Sequence, residues 1–250
     1  MSASKQYMLQ LADWEAEGGD QEDFRYKPPQ VTAKGAKLNT LRATINSKRW
    51  AQRDSRYIVI VDLEALCWAD GEAPQAAHSV RSAGSDIIEI GLAVLDTETM
   101  EVIDERSIIT KPRTALKVSA FCTDLTSLTQ EMVDAGEDLD LALAGLAAEF
   151  GDCALASWGA YDPKQMARAY SGRSYLNGCE GQSRKHPFGD THYNVRHMAA
   201  LLTGNGEGDL KATAESLGCW SGHHHRGVDD ARAIAHILAR LLGAARGVFK

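Results

Sequence analysis

Residues 57–66 read Tyr-Ile-Val-Ile-Val-Asp-Leu-Glu-Ala-Leu (YIVIVDLEAL), an apolar run that ends with Asp62 and Glu64. The apolar part is typical of a strand buried in the middle of a sheet. Successive side chains of a strand point to opposite faces, so these two acids point the same way. Held side by side, they disfavour each other's ionisation unless a positive charge lies between them. The run predicts either a cation site or, more simply, a polar strand end that exits into solvent.

The chain from Arg56 onward predicts one α/β domain. Besides 57–64, strands are predicted at 87–95, 102–110, 153–158 and, as a short strand or turn, near 190–195. Helices are predicted between about 123 and 150, in two pieces split near Gly136, and at 163–171, up to about 202, at 209–218 and at 229–246. Polar loops are predicted between the strand at 57–64 and Gly84, and at 172–188. Three strands followed by alternating helices and short strands favour a mixed five-stranded sheet flanked by helices.

Residues 1–55 are predicted to form an N-terminal extension that is partly helical or flexible, with one helix near 38–50. Their periodicity is weak, and an acid-rich stretch at 1–24 gives way to a basic segment at 31–57 that contains a single acid, Asp54. Such a segment is either an arm that contacts phosphates or a solvated linker.

The bulk composition excludes several classes of protein. The formal net charge of −7 does not indicate the basic footprint usual for nucleic-acid binding. No apolar stretch approaches the roughly 20 residues that cross a bilayer, and the N-terminus lacks the layout of a signal peptide. The five cysteines are widely spaced, with no Cys-x-x-Cys pair, which argues against a disulfide framework or a zinc site. We therefore expect a cytoplasmic protein without a membrane partner.

The final helix presents one of two adjacent acids to its apolar face. That face is set by i, i+3, i+4, i+7 spacing of Ile234, Ile237, Leu238 and Leu241. At roughly 100° per residue, Asp230 lies about 40° from Ile234, whereas Asp229 lies about 140° away, towards solvent. A first-turn acid is favoured by the helix dipole, but the dipole does not explain an acid on the buried stripe.

Two more residues complete a candidate site. Asp162 before Pro163 predicts a helix N-cap, which is an ordinary feature when taken alone. His225 lies five residues before Asp230 in GHHHRGVDD; His223 and His224 are interpreted as polar surface, with metal binding by the histidine run itself as an alternative.

Together these acids predict a metal site. Asp62, Glu64, Asp162 and Asp230, if they converge, repel one another by several kcal/mol unless hard cations neutralise them. Oxygen ligands suit Mg²⁺ or Mn²⁺, and two ions about 3.5–4 Å apart support phosphodiester hydrolysis. A histidine such as His225, with a pKa near neutrality, is a suitable base for the attacking water.

The ordered set Asp-x-Glu, Asp, His-x4-Asp resembles the DEDDh exonucleases, the RNase T-like group within the RNase H-like fold. The resemblance covers roughly residues 56–245. Within this group, the chain is similar to the branch that contains the 3′ histone-mRNA exonucleases (ERI type) and the KapD-like proteins. It rests also on IIEIGLAVLDTETMEVIDE, FCTDLTSLTQEMV, SWGAYDPKQM and HHRGVDDARAIAHI. This family implies a two-metal 3′→5′ exonuclease that releases nucleoside 5′-monophosphates.

Carried over to this chain, the resemblance implies a role for each matching residue. The four carboxylates of Asp62, Glu64, Asp162 and Asp230 would hold two Mg²⁺ ions, for which Mn²⁺ can substitute. His225 would be the general base.

The resemblance also implies a pocket for the terminal nucleotide. Phe121, Leu125 and Leu128 are candidates for packing on the terminal base, with a place in the core as the alternative. Glu89 in IIEIG matches the family pattern and is interpreted as structural.

The predicted partners are single-stranded 3′ ends. RNA is favoured over DNA because the nearest branch acts on RNA, although no residue that would contact a 2′-hydroxyl is identifiable. A regulatory protein that uses the fold for protein contacts is the alternative from another class. Retention of all four acids and the histidine favours the enzyme, and the motif order disfavours a small-molecule phosphatase.

Overall fold

The structure is a computed structural model that describes residues 56–170 and 186–248. The predicted extension at 1–55, its helix near 38–50 and most of the predicted loop at 172–188 lie outside these residues. Within the described part, no helix combines the length and apolar character that crossing a bilayer requires.

A mixed sheet forms the centre of the domain, with strand order β4-β3-β2-β1-β5-β6. Its strands are β1 Tyr57–Ala65, β2 Ile87–Asp96, β3 Glu101–Lys111, β4 Glu137–Asp138, β5 Ala154–Ser157 and β6 His192–Asn194. The β1–β2 and β2–β3 pairs are antiparallel, whereas β1–β5, β5–β6 and β3–β4 are parallel. The predicted α/β class and mixed sheet are confirmed. The sixth strand, β4, was not predicted because two residues are too few to show an alternating pattern.

Eight helices lie within the described residues. They are α1 Ala77–Ser82, α2 Ala120–Thr126, α3 Gln130–Asp134, α4 Leu139–Phe150, α5 Tyr161–Tyr170, α6 Val195–Thr203, α7 Leu210–Ser216 and α8 Gly227–Val248. The region predicted as two helical pieces contains three, α2 to α4. Helix α1 lies in the predicted polar loop; it buries no side chain, so it has no apolar stripe that the sequence could show.

The two central strands are covered on both faces, and every residue of β2 is buried. Alternate apolar residues of β1 belong to two different hydrophobic core clusters. One cluster contains the β1 residues Val59, Val61 and Leu63 and side chains of α4 and α5. The other contains Ile58, Ile60 and side chains of α6, α7 and α8. Because the period of a strand is two, Asp62 and Glu64 continue the face that α8 covers.

A contact between two glycines lets α8 begin directly on the sheet. Gly91, the register partner of Asp62 on β2, lies under Gly227, the first residue of α8. A Cβ atom added to Gly91 would lie 1.8 Å from the carbonyl carbon of Gly227. The close approach brings the first turn of α8 onto the strand end where the two acids of β1 lie.

Candidate active site

Three carboxylates meet where β1 ends and α8 begins. One ligand oxygen each from Asp62, Glu64 and Asp230 lies within 4.8 Å of the others. Glu64 is 8% exposed and Asp230 3% exposed, whereas Asp62 is half-buried. Acids from opposite ends of the domain sequence are thus brought together in one place.

The first turn of α8 separates the two adjacent aspartates as their helical spacing predicts. Asp230 faces the acids of β1 and is buried. Asp229 is half-buried and accepts hydrogen bonds from the backbone N–H of His223, at 2.9 Å, and from Arg232. Burial would raise the pKa of Asp229, but these hydrogen bonds and the charge of Arg232 outweigh it and hold the pKa below its ordinary value.

Asp162 reaches β1 in a way that the sequence did not predict. It lies within α5, which begins at Tyr161, and not at the N-cap position. Its Oδ1 accepts a hydrogen bond of 3.2 Å from the backbone N–H of Leu63, between the two acids of β1. Asp162 is outside the group of three whose ligand oxygens lie within 4.8 Å, but it is buried and its charge acts on Asp62.

The electrostatics of the cluster favour a positive charge at its centre. Burial, followed by the charges of Asp162 and Asp230, raises the pKa of Asp62 well above its ordinary value. Burial and then the charge of Asp230 raise the pKa of Glu64 to about 8. Burial also raises the pKa of Asp162 to about 7 and raises that of Asp230. An oxygen-only donor set whose members resist ionisation without a counter-charge fits divalent cations that prefer oxygen ligands.

Residues 223–226, called the histidine turn from here on, contact the carboxylate of Asp230. The backbone N–H of His225 donates a 2.9 Å hydrogen bond to Oδ2 of Asp230. The rings of His224 and His225 stack with their centroids 3.9 Å apart. Burial, and then the charge of His224, lowers the pKa of His225, which favours a neutral imidazole that can accept a proton.

The interpretation of His224 as polar surface is wrong. Its Nδ1 lies 3.1 Å from Oδ1 of Asp230, and its ring meets the edge of Trp220. The His224, His225 and Asp230 side chains also offer ligand atoms within 4.8 Å of one another. This contact could not be predicted from the sequence, because the turn between α7 and α8 has no regular period.

The residues predicted to contact a terminal base lie in different environments. Phe121, in the first turn of α2, is 42% exposed, and Leu125 is half-buried. Leu128 is fully buried in a cluster with Leu66, Ile88, Cys122 and Val133. Its prediction as a base contact is therefore corrected, because a side chain without exposed surface packs in the core.

Buried carboxylates at the end of a central strand, with a histidine turn above them, define an α/β protein of the RNase H-like exonuclease fold. Residues 59–238 match the family model described as Exonuclease (RNase_T). The chain belongs to this family.

Relatives and solved structures agree with this assignment. The chain is similar to ERI1 exoribonuclease 2 of Xenopus laevis, with 26% identity over 221 residues, which cover 78% of this chain and 30% of that protein. It is 29% identical to 3′-5′ exoribonuclease 1 of Homo sapiens over 198 residues, 74% of this chain and 52% of that protein. The chain thus spans about half or less of the length of these curated relatives.

Solved structures that are similar to this chain over 77% of its residues include two of exonucleases. One is the nuclease domain of 3′hExo, a DEDDh family member, bound to rAMP: TM-score 0.58 and 26% identity, covering 77% of this chain and 95% of that chain. The other shows 3′-end specific recognition of histone mRNA stem-loop by 3′-exonuclease: TM-score 0.60 and 25% identity, covering 77% and 84%.

Proposed function

We propose that this chain is a 3′→5′ exonuclease that removes nucleoside 5′-monophosphates from single-stranded 3′ ends, with RNA favoured over DNA. The observation that carries the proposal is the group of ligand oxygens from Asp62, Glu64 and Asp230 within 4.8 Å, in a chain of the exonuclease family. Support for RNA comes from relatives named exoribonucleases and from a similar nuclease domain bound to rAMP.

The proposed metal ligands are Asp62, Glu64 and Asp230. Asp162, which accepts a hydrogen bond from the backbone of Leu63, is the proposed fourth ligand. The proposed cofactor is Mg²⁺, with Mn²⁺ as a substitute, because both prefer oxygen ligands. Such ions, when bound, supply the positive charge that activates a water and stabilises the leaving oxygen in phosphodiester hydrolysis.

His225 is the proposed general base. Its lowered pKa favours the neutral ring, its backbone N–H is bonded to Asp230, and a ring nitrogen lies within 4.8 Å of a carboxylate oxygen of Asp230. A neutral imidazole there can accept the proton that the attacking water loses. The neighbouring His224 stacks on this ring and holds the second oxygen of Asp230, so it orients both groups.

The proposed support for the terminal base is Phe121. Its exposed aromatic ring offers a face on which any base can stack, and the next residue, Cys122, contacts the backbone of Ala65 at the end of β1. Stacking of this kind favours trimming over reading of sequence. Leu125, half-buried one turn further along α2, can widen this apolar platform.

The activity is tested on matched single-stranded RNA and DNA oligonucleotides labelled at the 5′ end, with Mg²⁺ or with EDTA. We expect the RNA to shorten in single-nucleotide steps only with Mg²⁺, and the DNA to shorten more slowly. A substrate ending in a 3′-phosphate serves to check that degradation starts at the 3′ end.

His225→Ala is compared with His223→Ala, whose side chain is exposed. We expect His225→Ala to lose roughly 10²–10⁴-fold in rate at neutral pH, the range for a general base, while Mn²⁺ binding persists. Wild-type protein that leaves both oligonucleotides intact with Mg²⁺ and with Mn²⁺ would contradict the proposed activity. If the DNA is degraded faster than the RNA, DNA and not RNA is the preferred substrate.

A further inference from the structure

Glu89, the third residue of β2, is a fully buried acid beside the candidate site. It is 0% exposed and lies directly opposite Glu64 in the antiparallel register of β1 and β2. Residues directly opposite each other in such a pair have neighbouring side chains on the same face. Glu89 therefore lies next to the proposed metal ligands, on the face that α8 covers.

Both carboxylate oxygens of Glu89 are used by groups of the protein. Oε2 accepts a 3.1 Å hydrogen bond from the backbone N–H of Gly227 and one of 3.3 Å from Nε of Arg226. Oε1 accepts a 2.6 Å hydrogen bond from Oγ of Ser107 on β3, and Nη2 of Arg226 lies 3.5 Å from it. One acid thus connects the sheet to the turn between α7 and α8.

The two residues that Glu89 holds in this turn lie between the proposed base and a proposed metal ligand. Arg226 directly follows His225, and Gly227 begins the helix that carries Asp230. The carbonyl oxygen of Arg226 also accepts the backbone N–H of Asp230 at 2.9 Å. A displacement of Arg226 and Gly227 would therefore move both functional groups together.

The turn needs such an anchor because its backbone is unfavourable. His225 has φ 64°, in the left-handed region that residues with a Cβ atom avoid. A residue in that region persists only where the surrounding structure over-determines its conformation. The bonds from Glu89 to the next two residues, with the contact of Gly227 on Gly91, supply that constraint.

We propose that Glu89 is a positioning residue that holds His225 and Asp230 in register over the acids of β1. It touches neither the substrate nor the metal; it acts through Arg226 and Gly227. This inference rests on the proposed function for its kinetic consequence, but its effect on the metal ligands is measurable without catalysis.

The chain contains a matched control for this proposal. Glu105 on β3 also pairs with an arginine of α8, Arg232, with Nη2 2.6 Å from Oε2. That ion pair links the sheet to the same helix, but Glu105 is exposed. Glu105→Gln therefore removes a carboxylate that anchors α8 through Arg232, which is linked to the histidine turn only indirectly, through Asp229.

Glu89→Gln keeps the size of the side chain and changes its hydrogen bonding. The amide nitrogen of glutamine is a donor and cannot accept from Gly227, Arg226 or Ser107, so at least one of these donors loses its partner. The experiment compares wild type, Glu89→Gln and Glu105→Gln at temperatures well below their unfolding midpoints. It measures Mn²⁺ affinity by calorimetry, and kcat and KM on a single-stranded oligonucleotide.

We expect Glu89→Gln to lower kcat by roughly 10–100-fold, the range for residues that orient metal ligands, while KM changes by less than about twofold. Mn²⁺ affinity is expected to fall by roughly tenfold. Glu105→Gln should leave kcat, KM and Mn²⁺ affinity unchanged. Folded Glu89→Gln with wild-type kcat and Mn²⁺ affinity would overturn the proposal and leave Glu89 with a purely structural role.

The design separates this inference from the proposed function. If wild type has no nuclease activity, weaker Mn²⁺ binding in Glu89→Gln than in Glu105→Gln still supports the positioning role, and equal binding overturns it. If Glu89→Gln does not fold, Ser107→Ala replaces it, because it removes one of the two partners of Oε1 and keeps the carboxylate. A lower kcat at unchanged KM, or weaker Mn²⁺ binding, in Ser107→Ala supports the proposal; wild-type values overturn it.

Discussion

The backbone N–H of His225 donates a 2.9 Å hydrogen bond to Oδ2 of Asp230, five residues further along the chain. The carboxylate that faces Asp62 and Glu64 therefore also closes the turn that holds the proposed base. A change to Asp230 therefore alters both the charge of the acidic cluster and the position of His225.

The first prediction uses the two adjacent aspartates of α8. Asp230→Asn removes a charge that faces the acids of β1, so we expect nuclease activity to fall by more than the roughly 100-fold upper range for residues that only orient metal ligands. Asp229→Asn weakens hydrogen bonds to His223 and Arg232 outside the cluster, so we expect a loss below about tenfold. Degradation of a single-stranded oligonucleotide with Mg²⁺ measures both. A greater loss in Asp229→Asn would show that the assignment of helix faces is wrong.

The second prediction concerns His224, which the sequence did not indicate. His224→Phe keeps a ring against His225 and Trp220 but removes the nitrogen that lies 3.1 Å from Asp230. Because Asp230 then loses one of the partners that orient it, we expect Mn²⁺ affinity to fall by roughly 10–100-fold. Calorimetry measures this effect.

The control for that variant is His223→Phe, a change at the exposed neighbour of His224. We expect it to retain the Mn²⁺ affinity of the wild type. Equal affinity in both variants would mean that the contact between His224 and Asp230 does not support metal binding.

The third prediction concerns the stability of the metal-free protein as pH changes. Glu64 has a pKa of about 8 in the folded chain, against an ordinary value of 4.5, because burial disfavours its charged form. A raised pKa means that the folded state holds the proton more tightly. The stability that this group contributes is therefore complete below about pH 4.5 and is lost as the pH rises to 8. We expect Glu64 by itself to lower the free energy of unfolding by up to about 1.4 kcal/mol per pH unit across that range.

Urea unfolding in EDTA between pH 5 and about 8 tests this expectation, with Glu64→Gln as the control. Glutamine does not titrate, so the variant should show a shallower dependence on pH. Added Mg²⁺ should restore the stability of the wild type most strongly near pH 8, because a cation binds the ionised carboxylates. Parallel pH profiles for the two proteins would contradict the raised pKa of Glu64.

The parts of the site that the sequence predicted are those set by local periodicity. The two-residue period of β1 places Asp62 and Glu64 on one face, and the structure brings both to Asp230. The 3.6-residue period of α8 separates Asp230 from Asp229. Periodicity depends only on residues that are close in the chain, so it can be recognised in a single sequence.

The parts that the sequence missed depend on contacts between distant residues or on irregular backbone. Asp162 was predicted as a site residue, but its hydrogen bond with the backbone of Leu63, 99 residues away, was not. Leu128 follows Ser127, whose φ of 62° ends α2 in the left-handed region, and its side chain lies in the core. His224 meets Asp230 across a turn with no period. Neither kind of feature leaves a repeating pattern of residue types.

The last prediction concerns the glycine contact that brings α8 onto the sheet. A Cβ atom at Gly91 would lie 1.8 Å from the carbonyl carbon of Gly227, so Gly91→Ala forces the helix away from β2. We expect a loss of at least about 1–3 kcal/mol in the free energy of unfolding, the usual cost of overpacking. Activity should fall with it, because the displaced turn carries Asp230.

The matched control for this change is Gly145→Ala, in the middle of α4, where an added Cβ atom meets nothing within 4 Å. Alanine lowers the entropy of the unfolded chain at such a position, so we expect a gain of about 0.5–1 kcal/mol and unchanged activity. Urea unfolding of both variants measures the difference. Equal stability of the two would show that the first turn of α8 is free to move away from β2, and the contact would then not determine where Asp230 lies.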